Sequence, residues 1–150
     1  MYEIKPITKF TKILVNIILF LGIATTLAVP YIVPKAIKLY SLDKSLTIPT
    51  IITIFISGIL AVYILNQIRI MINTIFKGNP FILDNVISFK KMGIAAFIIA
   101  LIFTIKLLFW FTYATVIIVV VFIIAGLLSL TLKDIFKQAV KFKEDNDLTI

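Results

Sequence analysis

The sequence predicts an all-α integral membrane protein. The expected architecture is a four-helix bundle with both termini in the cytoplasm (N-in/C-in), a short interfacial helix between spans 2 and 3, and a cytoplasmic C-terminal helical extension. Three observations predict it. Hydrophobic residues make up 61% of the 150, with a mean hydropathy of +1.15, against about 45–50% apolar in a soluble domain. A small globule leaves too much surface exposed to hide that excess. The apolar residues fall into runs of bilayer length. The basic residues cluster at one end of those runs.

The first span is 13–33. It has the roughly 20 residues that cross the hydrocarbon core, preceded by Lys5, Lys9 and Lys12, with Pro30 and Pro34 marking its far end. "AVPYIVP" is a poor cleavage site, so the segment reads as an uncleaved helix rather than a signal peptide. A polar link, 35–47, leads to Pro49, well placed for the first turn of a new helix. The second apolar run, 50–77, would measure about 42 Å as a helix, so the span proper is 50–70 and about two turns project beyond the lipid. Asn66, Arg69, Asn73 and Lys77 share one face of that projection.

Residues 92–132 form an unbroken apolar stretch with one charge, Lys106. As a single helix it would be about 60 Å long, twice what a bilayer accepts. It must fold back near "KLLFWFTYA", 106–114, where aromatic residues make an interfacial belt and Lys106 snorkels to the same surface. The third and fourth spans are then 91–110 and 114–132, with a tail from 133 to 150. Ser57 and Ala61, Ala96 and Ala100, and Ala125 and Ser129 are small-xxx-small pairs suited to close helix packing.

Orientation follows from the basic residues. Lys5, Lys9, Lys12, Arg69, Lys77, Lys90, Lys91, Lys133, Lys137, Lys141 and Lys143 fall on the side of the termini; Lys35, Lys38, Lys44 and Lys106 fall on the other. Eleven against four places both termini in the cytoplasm. The same distribution accounts for the net charge of +8 without direct nucleic-acid binding.

Between spans 2 and 3 lies "KGNPFILDNVISFKKMG", 77–93. Gly78 is expected to end a helix in the left-handed conformation. Asn79 is then expected to cap the next, with Pro80 at its first position. Phe81, Ile82, Asn85, Val86 and Phe89 make one face, apolar except for Asn85, with Asp84, Ser88 and Lys91 elsewhere. Such a helix lies in the interface, and Lys90 and Lys91 meet anionic headgroups. In the tail, Leu132, Ile135, Phe136, Ala139 and Val140 make an apolar stripe beside basic Lys133, Lys137 and Lys141. "KEDND" then breaks the pattern before the apolar "LTI" end.

The "GNPF" turn, Asn85, the Lys90–Lys91 pair and the ending "FKQAVKFKEDNDLTI" resemble the YoaS-like family. These are small four-span bacterial membrane proteins grouped as a domain of unknown function. Many such relatives have Gly where this chain has Ala139, a departure that makes the tail helix more regular. The resemblance implies no catalytic residue. It implies a context: such genes often neighbour a small helix-turn-helix regulator, hence a cytoplasmic DNA-binding partner.

The chain has neither Cys nor His. That removes disulfides, thiolate metal sites and the usual near-neutral acid or base. No carboxylate lies in an apolar run, so no catalytic, metal-binding or cofactor-binding residue is expected. Acid/base or nucleophilic catalysis needs titratable groups within reach of one another. The expected function is therefore that of a non-catalytic regulatory or interaction protein of the bacterial cell membrane. Arg69, Asn73, Asp84, Asn85, Lys90, Lys91, Leu148 and Ile150 are the expected partner-binding residues. The expected partners are the lipid bilayer with its anionic headgroups, a cytoplasmic DNA-binding regulator and further copies of the chain. Two alternatives stay open: a small oligomeric transporter or pore, and an immunity-type membrane protein.

Overall fold

All four long helices overshoot the hydrocarbon core of a bilayer, and the overshoot decides how the ends of the molecule are built. The computed structural model describes residues 6–147. Helix α1 is Pro6–Leu39. A 3-10 turn, Lys44–Leu46, leads into α2, Thr47–Phe76; α3 is Leu83–Phe109 and α4 is Tyr113–Asp147. Each helix is long and apolar enough to cross a membrane. The 34 residues of α1 and the 35 of α4 run about 51 and 52 Å, against a core of roughly 30 Å.

Packing follows chain order: α1 on α2, α2 on α3 and, most extensively, α3 on α4. No other helix pair packs comparably among the described residues. The bundle is an open antiparallel row with α1 and α4 at its ends. One end, here called the terminal end, carries the start of α1, the α2–α3 connection and the end of α4. The far end carries the other two connections.

The sequence expectation that Pro30 and Pro34 close the first helix is corrected: α1 continues through both prolines to Leu39. Proline removes a backbone donor and crowds the preceding turn, yet packing outweighs that cost here. Val29, Val33 and Ile37 are buried at i, i+4, i+8, against Ile51 and Phe55 of α2. The same pairing runs the length of the hairpin. Thr26 lies against Gly58, Gly22 against Val62, and Lys12 Nζ sits 4.4 Å from the centre of the Phe76 ring. The helix ends in a Schellman arrangement, Ser41 N–H to Lys38 O and Leu42 N–H to Ile37 O, with Ser41 left-handed at φ 52°. Asp43 then accepts from the Ser45 backbone N–H at 2.9 Å. Pro49 lies in the first turn of α2, as its fixed φ requires.

α3 and α4 form the tightest pair. Gly93 and Gly126 make it possible: a Cβ on Gly93 would fall 2.9 Å from the Leu130 side chain and 3.2 Å from the Gly126 carbonyl oxygen. Gly126 in turn faces the Phe97 ring. Ala96 and Ala100 are buried on α3, and Ser129 is buried on α4, so these expected small-residue positions do lie in the packed core. Along α4 the inward positions include Thr115, Val119, Phe122, Gly126, Ser129, Lys133, Phe136 and Val140. Their alternating 4 and 3 spacing is the seam of antiparallel helices crossing at a shallow angle.

The fold back between these helices occurs at Trp110–Thr112, inside the expected 106–114 window and without Gly or Pro. Thr112 takes the N-cap place of α4. Its carbonyl accepts from the N–H groups of Thr115 and Val116, and its hydroxyl pairs with that of Thr115 at 2.6 Å. Lys106 Nζ donates to Thr115 Oγ1 at 2.7 Å and lies 5.3 Å from the Trp110 ring centre. It therefore ties the end of α3 to the start of α4.

Candidate functional site at the terminal end

The α2–α3 connection is built from one helix stop and one buried amide. Gly78 adopts φ +72°, as its place after a helix predicts. Gly78 N–H donates to Ile75 O and Asn79 N–H to Thr74 O, a second Schellman arrangement that satisfies two orphan carbonyls of α2. Asn79 and Pro80 do not start the next helix. Ile82 takes the cap position with an extended backbone, φ −135° and ψ 155°, and α3 begins at Leu83.

From there α3 runs unbroken to Phe109. The separate interfacial helix expected before span 3 is the first two turns of α3 itself. The physical reason lies in what covers its apolar face. The Phe136 ring of α4 sits 5.6 Å from that of Phe81 and 4.8 Å from that of Phe89. Val86 and Phe89 are buried. A face satisfied by protein has no need to turn into the lipid headgroups, so the segment stays collinear with the span.

Asn85 holds the corner. It is 2% exposed. Its Nδ2 donates to Thr74 Oγ1 and to the Pro80 carbonyl oxygen, both at 2.6 Å. The two acceptors fix the amide's orientation, since only nitrogen can donate to the Pro80 oxygen. Thr74 Oγ1 spends its own proton on the Met71 carbonyl at 2.7 Å. One side chain thus joins the last turn of α2, the loop and the first turn of α3. Asn85 Oδ1 is buried with no partner among the described residues. Such a group costs on the order of 1–3 kcal/mol, so the two short donor bonds are what retain the amide there.

The end of α4 closes over this corner. Beyond Phe136, Val140 is buried, and Lys143 Nζ donates to Asn79 Oδ1 at 2.6 Å. The expected apolar stripe of the tail is therefore divided. Phe136, Ala139 and Val140 turn inward, while Leu132 and Ile135 stay exposed.

The expected partner-binding residues separate accordingly. Arg69, Asp84, Lys90 and Lys91 are exposed, and Asn73 is half-buried. Asn85 is corrected from surface to core: it is an internal tie with no face for a partner. Leu148 and Ile150 lie outside the described residues. Sequence reasoning missed Phe136 as the ring between two others, and Thr74 as the acceptor for Asn85. The spacing from Asn79 to Lys143 is legible only once the hairpin register is known. Among the described residues no group of three or more His, Cys, Asp or Glu comes together to hold a metal ion.

Four apolar helices of spanning length, joined by short connections, define a multi-pass α-helical membrane protein. The chain belongs to the family described as "Protein of unknown function (DUF2975)", which it matches over residues 3–150. No curated protein and no solved structure matches it.

Proposed function

We propose that the chain is a non-catalytic protein of the bacterial cell membrane, with both termini in the cytoplasm, whose terminal end binds and regulates a small cytoplasmic helix-turn-helix protein. The observation that carries this reading is the construction of that end. A helix continuing well past the expected end of the fourth span is held in place by Phe136 on Phe81 and Phe89 and by Lys143 on Asn79. Around this ordered platform stand the exposed charges of Arg69, Asp84, Lys90 and Lys91. A surface with fixed geometry and exposed charge is what selective docking requires. Orientation rests on the basic-residue asymmetry, and the partner class on the YoaS-like resemblance.

The test is co-purification, from solubilised membranes, of the helix-turn-helix protein encoded beside the gene. Lys90→Glu with Lys91→Glu should abolish co-purification and alter transcription of the neighbouring genes, with membrane abundance and helicity unchanged. Co-purification that survives the double reversal, or an intact chain that captures none of the regulator, contradicts the reading.

A further inference from the structure

The second feature of the molecule lies at the far end, remote from the proposed docking platform. There an apolar groove of about 650 Å³ lies between residues of α2 and of α3. Pro49, Thr53 and Ile56 of α2 form one wall; Ile102 and Lys106 of α3, with Trp110 just after it, form the other. The first wall, with the end of the 3-10 turn that precedes α2, extends from Leu46 to Ile56, about 15 Å. With the second span beginning near residue 50, the groove runs from headgroup level to about 9 Å into the hydrocarbon.

Two observations say what fills it. The first is Lys106. It is the one cation in the apolar stretch from 92 to 132, and it lines the groove near its headgroup end. An ammonium has three donors, and Thr115 takes one of them. The salt bridge the structure shows lies elsewhere, between Lys133 and Asp134, and no carboxylate answers Lys106 among the described residues. Lys106 stands in the last turn of α3, where the helix C-terminus favours a cation, and beyond Thr115 its ammonium keeps donors for an anion arriving from the lipid side. The second observation concerns Thr50 and Thr53. Thr25, Thr26, Thr104 and Thr131 each return their hydroxyl proton to a carbonyl of the preceding turn. The hydroxyls of Thr50 and Thr53, on the groove wall, have no hydrogen-bond partner among the described residues. They are donors at the depth where glycerol ester carbonyls accept.

We propose that this groove is a binding site for one anionic phospholipid of the leaflet at the far end, the outer leaflet on the orientation proposed above. One acyl chain lies between α2 and α3, the phosphate meets Lys106, and the ester region meets Thr50 and Thr53. Apolar walls with a few convergent polar groups are the usual composition of such a site. The site stands independently of any partner at the terminal end.

Trp110 is the chain's single tryptophan and it lines the groove, so its fluorescence reports the occupant directly. The full chain is reconstituted in phosphatidylcholine bilayers containing a small fraction of either phosphatidylglycerol or phosphatidylcholine brominated on the acyl chain. Brominated phosphatidylglycerol should quench Trp110 with about fivefold higher apparent affinity, the factor one lysine contributes beside an anionic lipid. Lys106→Gln should erase the preference and Lys106→Arg should keep it. Thr53→Phe, which fills the groove, should reduce quenching by both lipids to the level of random collision. Equal quenching by the two lipids in the intact chain overturns the proposal. So does a preference that survives Lys106→Gln, or strong quenching that survives Thr53→Phe. Should Lys106→Gln fail to fold, as judged by circular dichroism, the intact, Lys106→Arg and Thr53→Phe proteins still decide the question.

Discussion

Lys143 and Asn79 are 64 residues apart in the chain and 2.6 Å apart in space, joined by a hydrogen bond from Nζ to Oδ1. The bond closes a register that begins at the opposite end of the same hairpin, where Lys106 meets Thr115. Between these two points lie Phe97 on Gly126, Gly93 on Leu130 and Phe89 on Phe136. α3 and α4 are thus one continuous antiparallel pair, and the tail helix is the outer part of α4 rather than a separate appendage. Both Lys143 and Asn79 are exposed, so the bond itself is worth little. Lys143→Ala should loosen only the last turn of α4. Amide exchange should quicken after Val140 and stay unchanged before Phe136.

Phe136 carries the larger share. Phe136→Ala removes a ring packed on two others and should destabilise the terminal end by about 3 kcal/mol, the low end for such truncations because the residue is half-buried. Phe136→Leu should recover most of that loss. Protease sensitivity of the segment after Lys133 in reconstituted protein measures both variants.

Asn85→Ala should cost about 1–3 kcal/mol, because the Pro80 carbonyl loses its buried donor. Asn85→Asp should be worse: a carboxylate would face that carbonyl and offer it no proton at neutral pH. Thr74→Val should fall below both, since it removes one acceptor and leaves the Pro80 bond in place. Thermal denaturation in detergent ranks the three.

The two left-handed helix ends make opposite predictions. Gly78 has φ +72° and open space where a Cβ would stand. Gly78→Val should therefore cost about 1–2 kcal/mol of backbone strain with no collision. Gly78→Asn should be milder, since Asn tolerates this region. Ser41, at φ 52°, already bears such strain, and Ser41→Gly should raise stability by about 1 kcal/mol. Abundance in the membrane and melting temperature check both signs.

Asp43 makes the α1–α2 connection pH-sensitive. The Ser45 backbone N–H, and then its hydroxyl, hold the Asp43 carboxyl below its ordinary value. A depressed folded pKa means the contribution is present above the unfolded value and disappears as pH falls through the folded one. The turn at 43–46 should loosen only in acid below the usual carboxylate range. Asp43→Asn, which keeps an acceptor but cannot titrate, should abolish that dependence. Amide exchange of Ser45 between pH 5 and pH 3 reads it.

Much of this architecture is written in local pattern. Gly78 stops α2 because the chain needs φ > 0 there, and a glycine followed by Asn-Pro announces it. The overlong stretch 92–132 had to fold back, and it does so at Trp110–Thr112, inside the expected window; with no Gly or Pro there, the exact turn became legible only with the structure, where the Thr112 and Thr115 hydroxyls pair. What was not legible depends on partners distant in sequence. Pro30 and Pro34 read as a stop because the price of a helical proline is local, whereas the packing of Val29, Val33 and Ile37 on α2 that outweighs it is not. Asn85 read as a surface contact because an amide interrupting an apolar stripe has two explanations. The choice between them belongs to Thr74 and Pro80. The elbow read as a lipid-facing helix because nothing near it announces that Phe136 supplies the cover.

The central claim is that α4 beyond the bilayer lies fixed against the α2–α3 connection and forms the platform for a partner. The chain has no cysteine, so a pair introduced as Asn79→Cys and Lys143→Cys can be joined with a short bifunctional thiol reagent in isolated membranes without competing sites. Mass spectrometry of the digest should show the 79–143 cross-link as the major product. An Asn79→Cys, Lys133→Cys pair, more than two helical turns out of register, should give little. Equal yields for the two pairs, or none for the first, would mean that the tail moves freely and that the platform does not exist.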